Sequence, residues 1–392
     1  MGTVMAVYIG RAGGSPLTVG LVLTTYFFGW TVFAPIWGSL ADITGKRREV
    51  LLVTAGLATV STFPLLVVEG VWDTLAVRTA FALFSAGHLP ILLTIVSAQG
   101  GSNSRGRSIG LFSSVEAMGF SAAQLSAGVL LGLLVPWSMY LVVTAVTAVV
   151  FVAAWFIDDP TPDSSTSLSV NEVSAEVRRR LFPSKAGRAH IHTNGLKWLY
   201  IAVFLRNATV IGTSSLLPVY IITQLGLTEA MMGALLAINP IGQVVFMYLV
   251  GYVTDRFGRK PLITIGMAGS AGFSALMAVS GYPDSTVARI AIVALAFAVL
   301  AAAFSGLRVG AVSFIGDIAP PDRESELIGF RSTARGIGGV LGPIVIGSIA
   351  AVSTFETAFL VGSLFAVVGA GLVAFTLVES LETGPSAVAG TN

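Results

Sequence analysis

Eleven long apolar runs constrain this chain more than any other feature. They lie at roughly 16–40, 49–68, 74–99, 108–134, 137–157, 197–224, 230–253, 261–281, 286–314, 327–350 and 355–378. A helix needs about 20 apolar residues to cross the hydrocarbon layer of a bilayer. Inside that layer every backbone polar group must find its partner within the protein. Unbroken runs therefore fold as helices, because barrel strands would alternate in polarity. Charged residues make up only 11% of the 392-residue chain and apolar residues 54%. So few charges cannot cover a water-facing surface, which excludes a soluble enzyme and a disordered chain. The net charge of +2 gives no argument for nucleic acid, and the absence of Cys removes disulfides and thiolate metal sites. The expected fold class is an all-α polytopic membrane protein.

Basic residues set the expected orientation. Alternate connections carry Lys46, Arg47, Arg48, Arg105, Arg107, Arg178, Arg179, Arg180, Lys185, Arg188, Lys197, Arg256, Arg259, Lys260 and Arg323, whereas the others carry only Arg11. By the positive-inside rule the first set is cytoplasmic. The longest connection, 158–196, then lies in the cytoplasm. It contains Ser169 and Glu172 at capping-box spacing, followed by Val170, Val173, Val177 and Leu181 at helical spacing beside a basic run. Two readings stand for it, an amphipathic helix on the membrane surface and a solvated linker.

The two halves repeat each other. Val7-Tyr8-Ile9 matches Val219-Tyr220-Ile221, Gly38, Asp42, Gly45 and Lys46 match Gly251, Asp255, Gly258 and Arg259, and Gly87, Gly110 and Gly128 match Gly306, Gly329 and Gly347. Ordered matches across a whole half imply two homologous units, the pattern of alternating-access transporters. The expected domains are a helical bundle at 1–157, the connection at 158–196 and a second bundle at 197–392. The first apolar stretch, 1–10, is too short to span. By comparison with the second half the first helix is expected to be cut near its middle, with a native eleven-span form as the alternative.

The segment Gly38-Ser-Leu-Ala-Asp42-Ile-Thr-Gly45-Lys46-Arg47 joins the second and third helices of the first half, and Gly251-Tyr-Val-Thr-Asp255-Arg256-Phe-Gly258-Arg259-Lys260 is its counterpart in the second. Both resemble the signature loop of the major facilitator superfamily, although Ile43 stands where a basic residue is usual. The resemblance implies the superfamily's fold, two six-helix bundles related by a pseudo-two-fold axis. It also implies that Asp42 latches onto the start of the helix near Leu327, and Asp255 onto the start of the helix near Ser108. A carboxylate at a helix N-terminus is favourable by roughly 0.3–1 kcal/mol when exposed. Gly336, Gly338, Gly339, Gly342, Pro343 and Gly347 resemble the superfamily's antiporter helix motif, but in the eleventh rather than the fifth helix, where tight packing is an equal reading.

Ionisable residues within spans are costly and mark candidate sites. Glu116 is the one carboxylate well inside a span, and is a candidate proton carrier or a structural partner for an arginine. Arg335 occupies the repeat-equivalent position, so a contact between the two across the cavity is one expectation; Arg331 lies a turn away. Arg206 is a candidate for an anionic group or for Glu116. Arg78 resembles the arginine of a fourth-helix motif of the superfamily, although Ala86 stands where glutamine is usual; the alternative is snorkelling to the outer interface. His88, Gln124, Asn239 and Gln243 complete the candidates for proton or substrate contact.

The expected function is proton-coupled efflux of a small molecule by alternating access. Sugar, metabolite or organic-anion transport in the same fold is the first alternative, and a non-transporting sensor or scaffold the second. A membrane enzyme is disfavoured, since only His88, His190 and His192 supply imidazoles. Expected partners are a small-molecule substrate, protons and the lipid bilayer of the cell membrane. No cofactor, metal or nucleic acid is expected, and the chain is expected to act as a monomer.

Overall fold

The computed structural model describes residues 1–99, 101–158, 177, 194–319 and 324–380; within helices it describes the backbone but not the side chains of 101–106, 248, 250–257 and 324–326. Among the described residues there are thirteen α-helices and no strand. They are α1 (Gly2–Arg11), α2 (Pro16–Thr44), α3 (Arg47–Val60), α4 (Val71–Ser85), α5 (His88–Gln99), α6 (Gly101–Leu133), α7 (Pro136–Ala154), α8 (Leu196–Thr223), α9 (Glu229–Phe257), α10 (Arg259–Val279), α11 (Thr286–Ile318), α12 (Glu324–Val352) and α13 (Phe355–Thr376). Eleven stretches are long and apolar enough to span, and each coincides with one of the apolar runs. Helix α1 has ten residues, a rise of about 15 Å, half of a hydrocarbon layer. Most of the central connection, including His190 and His192, lies outside the described residues.

One expected helix is broken. The run 74–99 divides at Ala86-Gly87 into α4 and α5. Pro90 has no N–H to donate to residue 86, so the hydrogen-bond ladder cannot run through. Gly87 lets Trp37 of α2 into the gap: a Cβ at Gly87 would stand 2.9 Å from that of Trp37, whose Nε1 donates to the Leu83 carbonyl at 2.9 Å.

Helices from Leu196 onward pack mainly on one another, whereas before residue 158 α2 and α6 pack at least as much on the second group as on their own. The two groups meet where α2 packs on α12 and α8, where α6 packs on α9, and where α1 packs on α8. The core shows at which end they meet. One large apolar cluster joins both groups, from Val4, Tyr8, Val19 and Leu131 to Leu216, Tyr220, Met232 and Phe359. All of these lie toward the end opposite the basic turns. At the basic end the core splits in two. Ala41, Leu51, Ile91, Ile95 and Ala154 form one cluster in the first group, and Leu199, Ile263, Phe314 and Val373 belong to a separate one in the second.

Close approaches between the groups run from the end opposite the basic turns to mid-helix, where Gly336 and Gly339 of α12 lie against Thr31 and Phe27 of α2. Arg11 and Glu229 form an ion pair. The Thr24 hydroxyl donates to the Val340 carbonyl at 3.1 Å. A Cβ on Gly20 would stand 2.7 Å from the Pro343 oxygen, and one on Gly128 2.7 Å from the Gly233 Cα. Toward the basic end, every described hydrogen bond and ion pair from Asp42, Arg48, Gln99, Arg259 and Glu379 stays within its own group. Among the described residues, contacts between the groups therefore concentrate at the end opposite the basic turns and at mid-helix.

A buried arginine cluster and two basic turns

The two signature segments fold alike. Each ends a long helix at a glycine with positive φ, Gly45 at 68° and Gly258 at 84°, and the next helix starts within two residues. Only glycine takes such a conformation without strain. Gly38 lies against Pro90 of α5. Asp42 accepts from Arg47 Nε at 3.1 Å and from its terminal nitrogen at 2.9 Å. The expected partner of Asp42, the start of α12, falls on residues 320–326, whose side chains lie outside the described residues. Among the described residues its cation is the one on the first turn of α3. Lys46 is exposed.

In the second copy, the side chains of Gly251, Asp255 and Arg256 lie outside the described residues, and with them the expected contact of Asp255 with α6. Arg259 Nε donates to Asp317 at 3.2 Å, and the Ser380 hydroxyl donates to the same carboxylate at 2.7 Å. Glu379 accepts from the backbone N–H groups of Arg259 at 2.9 Å and Lys260 at 3.0 Å, capping α10. Asp317 and Glu379 were not among the sequence candidates. Each sits just past an apolar run, where it reads as an ordinary solvated loop acid.

Between the groups, α8, α11 and α12 bring four arginines into one region. Arg206 lies within electrostatic range of Arg331 and Arg335, and each of those within range of Arg308. Arg206 is 4% exposed. Its Nε donates to the Ser270 hydroxyl at 2.9 Å, and a terminal nitrogen is buried without a partner. The Nε atoms of Arg331 and Arg335 are likewise buried and unpartnered. Arg206 and Arg308 stand 5.5 and 5.9 Å from the Phe304 ring, and Arg335 5.5 Å from Trp30 of α2. Such contacts favour a buried cation but leave its in-plane N–H groups free.

Glu116 is exposed on α6, within electrostatic range of Arg335, and makes no ion pair with it. Nor does it pair with Arg206, whose bonded partner is Ser270. Both expected contacts are therefore absent here. Glu116 belongs to the first group and the arginines to the second.

The remaining candidates sit apart from this cluster. Arg78 is 5% exposed, turned inward between Met1, Tyr26 and Phe81, with its Nε unpartnered. It does not snorkel, because α1 and α2 cover it. His88 lies beside Thr54 of α3 with a buried, unpartnered Nε2. Gln124 accepts from the Thr3 hydroxyl at 2.9 Å and ties α6 to α1. Gln243 donates to Asn239 at 3.0 Å along α9. The glycine-rich stretch of α12 serves close packing. A Cβ on Gly342 would stand 2.3 Å from the Ala208 oxygen of α8, and one on Gly338 2.4 Å from the Phe204 oxygen. A cavity of about 650 Å³ lined by Tyr8, Arg11, Leu65 and Tyr140 lies at the opposite end from the basic turns, away from the arginines.

Two helical groups joined at one membrane end, with buried ionisable groups at mid-depth, are an architecture suited to membrane transport. Residues 1–234 and 199–390 match the family described as Major Facilitator Superfamily, and the chain belongs to that family. It is similar to the "Putative metabolite transport protein" of Haemophilus influenzae, 24% identical over 356 residues that cover 88% of this chain and 83% of that protein. It also resembles the "Quinolone resistance protein NorA" of Staphylococcus aureus, 26% identical over 179 residues, 46% of this chain and 42% of that one. Among solved structures, the nucleoside transporter NupG superposes with a TM-score of 0.75 at 17% identity, over 95% of this chain and 93% of that one. A bacterial homolog of the human lysosomal transporter Spinster, in an inward-facing and occupied conformation, superposes at 0.73 with 15% identity, over 96% and 92%.

Proposed function

We propose that this chain is a proton-coupled secondary transporter and that its bundles, 1–157 and 197–392, rock about the buried arginine cluster. The observation that carries the reading is the divided core: one cluster shared by both groups at one end and two separate clusters at the basic end. With the basic connections on the cytoplasmic side of the cell membrane, as the positive-inside rule places them, this is the state open to the cytoplasm. Asp42 is then a disengaged latch, held by Arg47 until the basic end closes.

Glu116 is the proposed proton carrier. It stands on the opposite bundle within range of Arg335, so its charge and cargo occupancy are felt at one place. Export in exchange for protons is the direction supported by the likeness to the quinolone-resistance protein. Metabolite transport is the second reading, favoured by the relative that aligns over most of the chain. The test is vesicles carrying the purified protein under an imposed pH gradient, with lumenal pH followed as compounds are added. Substrate-triggered proton flux that disappears in Glu116→Gln supports the reading. Flux unchanged in that variant removes Glu116 as the carrier.

A further inference from the structure

We infer that the buried arginine cluster holds the cargo by an anionic group, a carboxylate or phosphate, on Arg206, Arg331 and Arg335. The inference rests on the transporter reading above and names the cargo class of that cluster. Four guanidiniums from three helices crowd one region at membrane depth, yet among the described residues none of them forms an ion pair. Cations in a low-dielectric site are strongly destabilising unless a counter-charge meets them. The opposing charge within range, Glu116, stands on the other bundle and leaves an excess of positive charge.

The supply of hydrogen bonds points the same way. Phe304 and Trp30 support the arginine faces, and Ser270 takes one of the N–H groups of Arg206. Buried nitrogens of Arg206, Arg331 and Arg335 remain without an acceptor. An oxyanion supplies several acceptors at once and matches the planar fork of arginine. A cationic cargo would meet like charge and leave those donors unsatisfied. Trp30 and Phe304, one from each bundle, also offer flat apolar surface to a ring carried by the anion.

Binding is measured on the purified full chain in detergent, without turnover, so that the outcome is separate from that of the transport reading. The probes share one ring and differ in charge: 2-naphthoate, naphthyl phosphate, 2-naphthamide and naphthylmethylammonium. At least one anion is expected to bind about 10-fold or more tightly than the amide, and the ammonium more weakly than either. Arg206→Gln and Arg335→Gln are each expected to weaken that anion about 10- to 100-fold, the range for a charged hydrogen bond. Arg335→Lys keeps the charge and should retain part of the affinity, and Lys197→Gln, an exposed cation outside the cluster, should change nothing. Melting curves identify any variant that fails to fold, and Arg335→Lys then carries the comparison. Anions that bind no better than the amide, or better binding of the ammonium, overturn the inference. Selective anion binding in a protein that moves no cargo leaves the site standing and removes the transporter reading instead.

Discussion

Asp42→Asn separates stability from mechanism. In this conformation Asp42 is bonded to Arg47 alone among the described residues, and its side chain is 41% exposed. An exposed pair of this kind is worth about 0.2–1 kcal/mol. Removing it should lower the melting temperature by about 2 °C or less, given how weakly a small ΔΔG moves a chain of this size. The closed state differs. There the account places Asp42 at the start of α12, where a partly buried carboxylate at a helix N-terminus contributes up to about 2 kcal/mol. That loss would cut the population closed at the basic end on the order of 10-fold, and transport with it. Arg47→Gln breaks the same ion pair but removes no latch, so it should transport far better than Asp42→Asn. Flux in vesicles beside melting curves in detergent decides the matter. Equal loss of flux in the two variants, or loss of flux that follows loss of stability, refutes the reasoning.

Other outcomes follow from the packing. Gly342→Val should destabilise by about 1–3 kcal/mol or more, because the Ala208 backbone already stands 2.3 Å from the site of a Cβ; Gly119→Ala, with nothing within 4 Å, should be neutral or stabilising, and melting temperatures check both. Glu379→Gln should cost about 0.5–2 kcal/mol, since the charged cap of α10 is weakened, read as a lower melting midpoint. Glu229→Gln removes the ion pair with Arg11 at the closed end. It should leave stability nearly unchanged while raising the accessibility of that end, measured by thiol labelling of an introduced cysteine.

Fold class was legible because the bilayer leaves few choices. Apolar runs of about 20 residues can only be helices there, and all eleven were found. The break at Ala86-Gly87 was not read, although Pro90 carried its signal, because apolarity continues across it. Arg206, Arg331 and Arg335 were named as candidates singly. Their convergence depends on how α8, α11 and α12 face one another, which no local spacing records. The contacts expected of Glu116 failed for a related reason. Sequence spacing does not record which face of α6 meets α12, and Glu116 lies on an exposed position of α6. Asp317 and Glu379 escaped notice because a capping acid and a solvated loop acid look alike until the chain folds back.

The central claim is that the groups part at one end while joined at the other and exchange these states. The chain contains no Cys, so spin labels can be placed without background. One pair, Lys46→Cys with Gly329→Cys, spans the basic end; a second, Ala12→Cys with Ser353→Cys, spans the opposite end; all four positions are exposed. Distances by pulsed electron resonance in lipid should be long for the first pair and short for the second without cargo. Cargo or an acidified compartment should shorten the first and lengthen the second together. A short basic-end distance under every condition, or two distances that change in the same sense, would contradict the account.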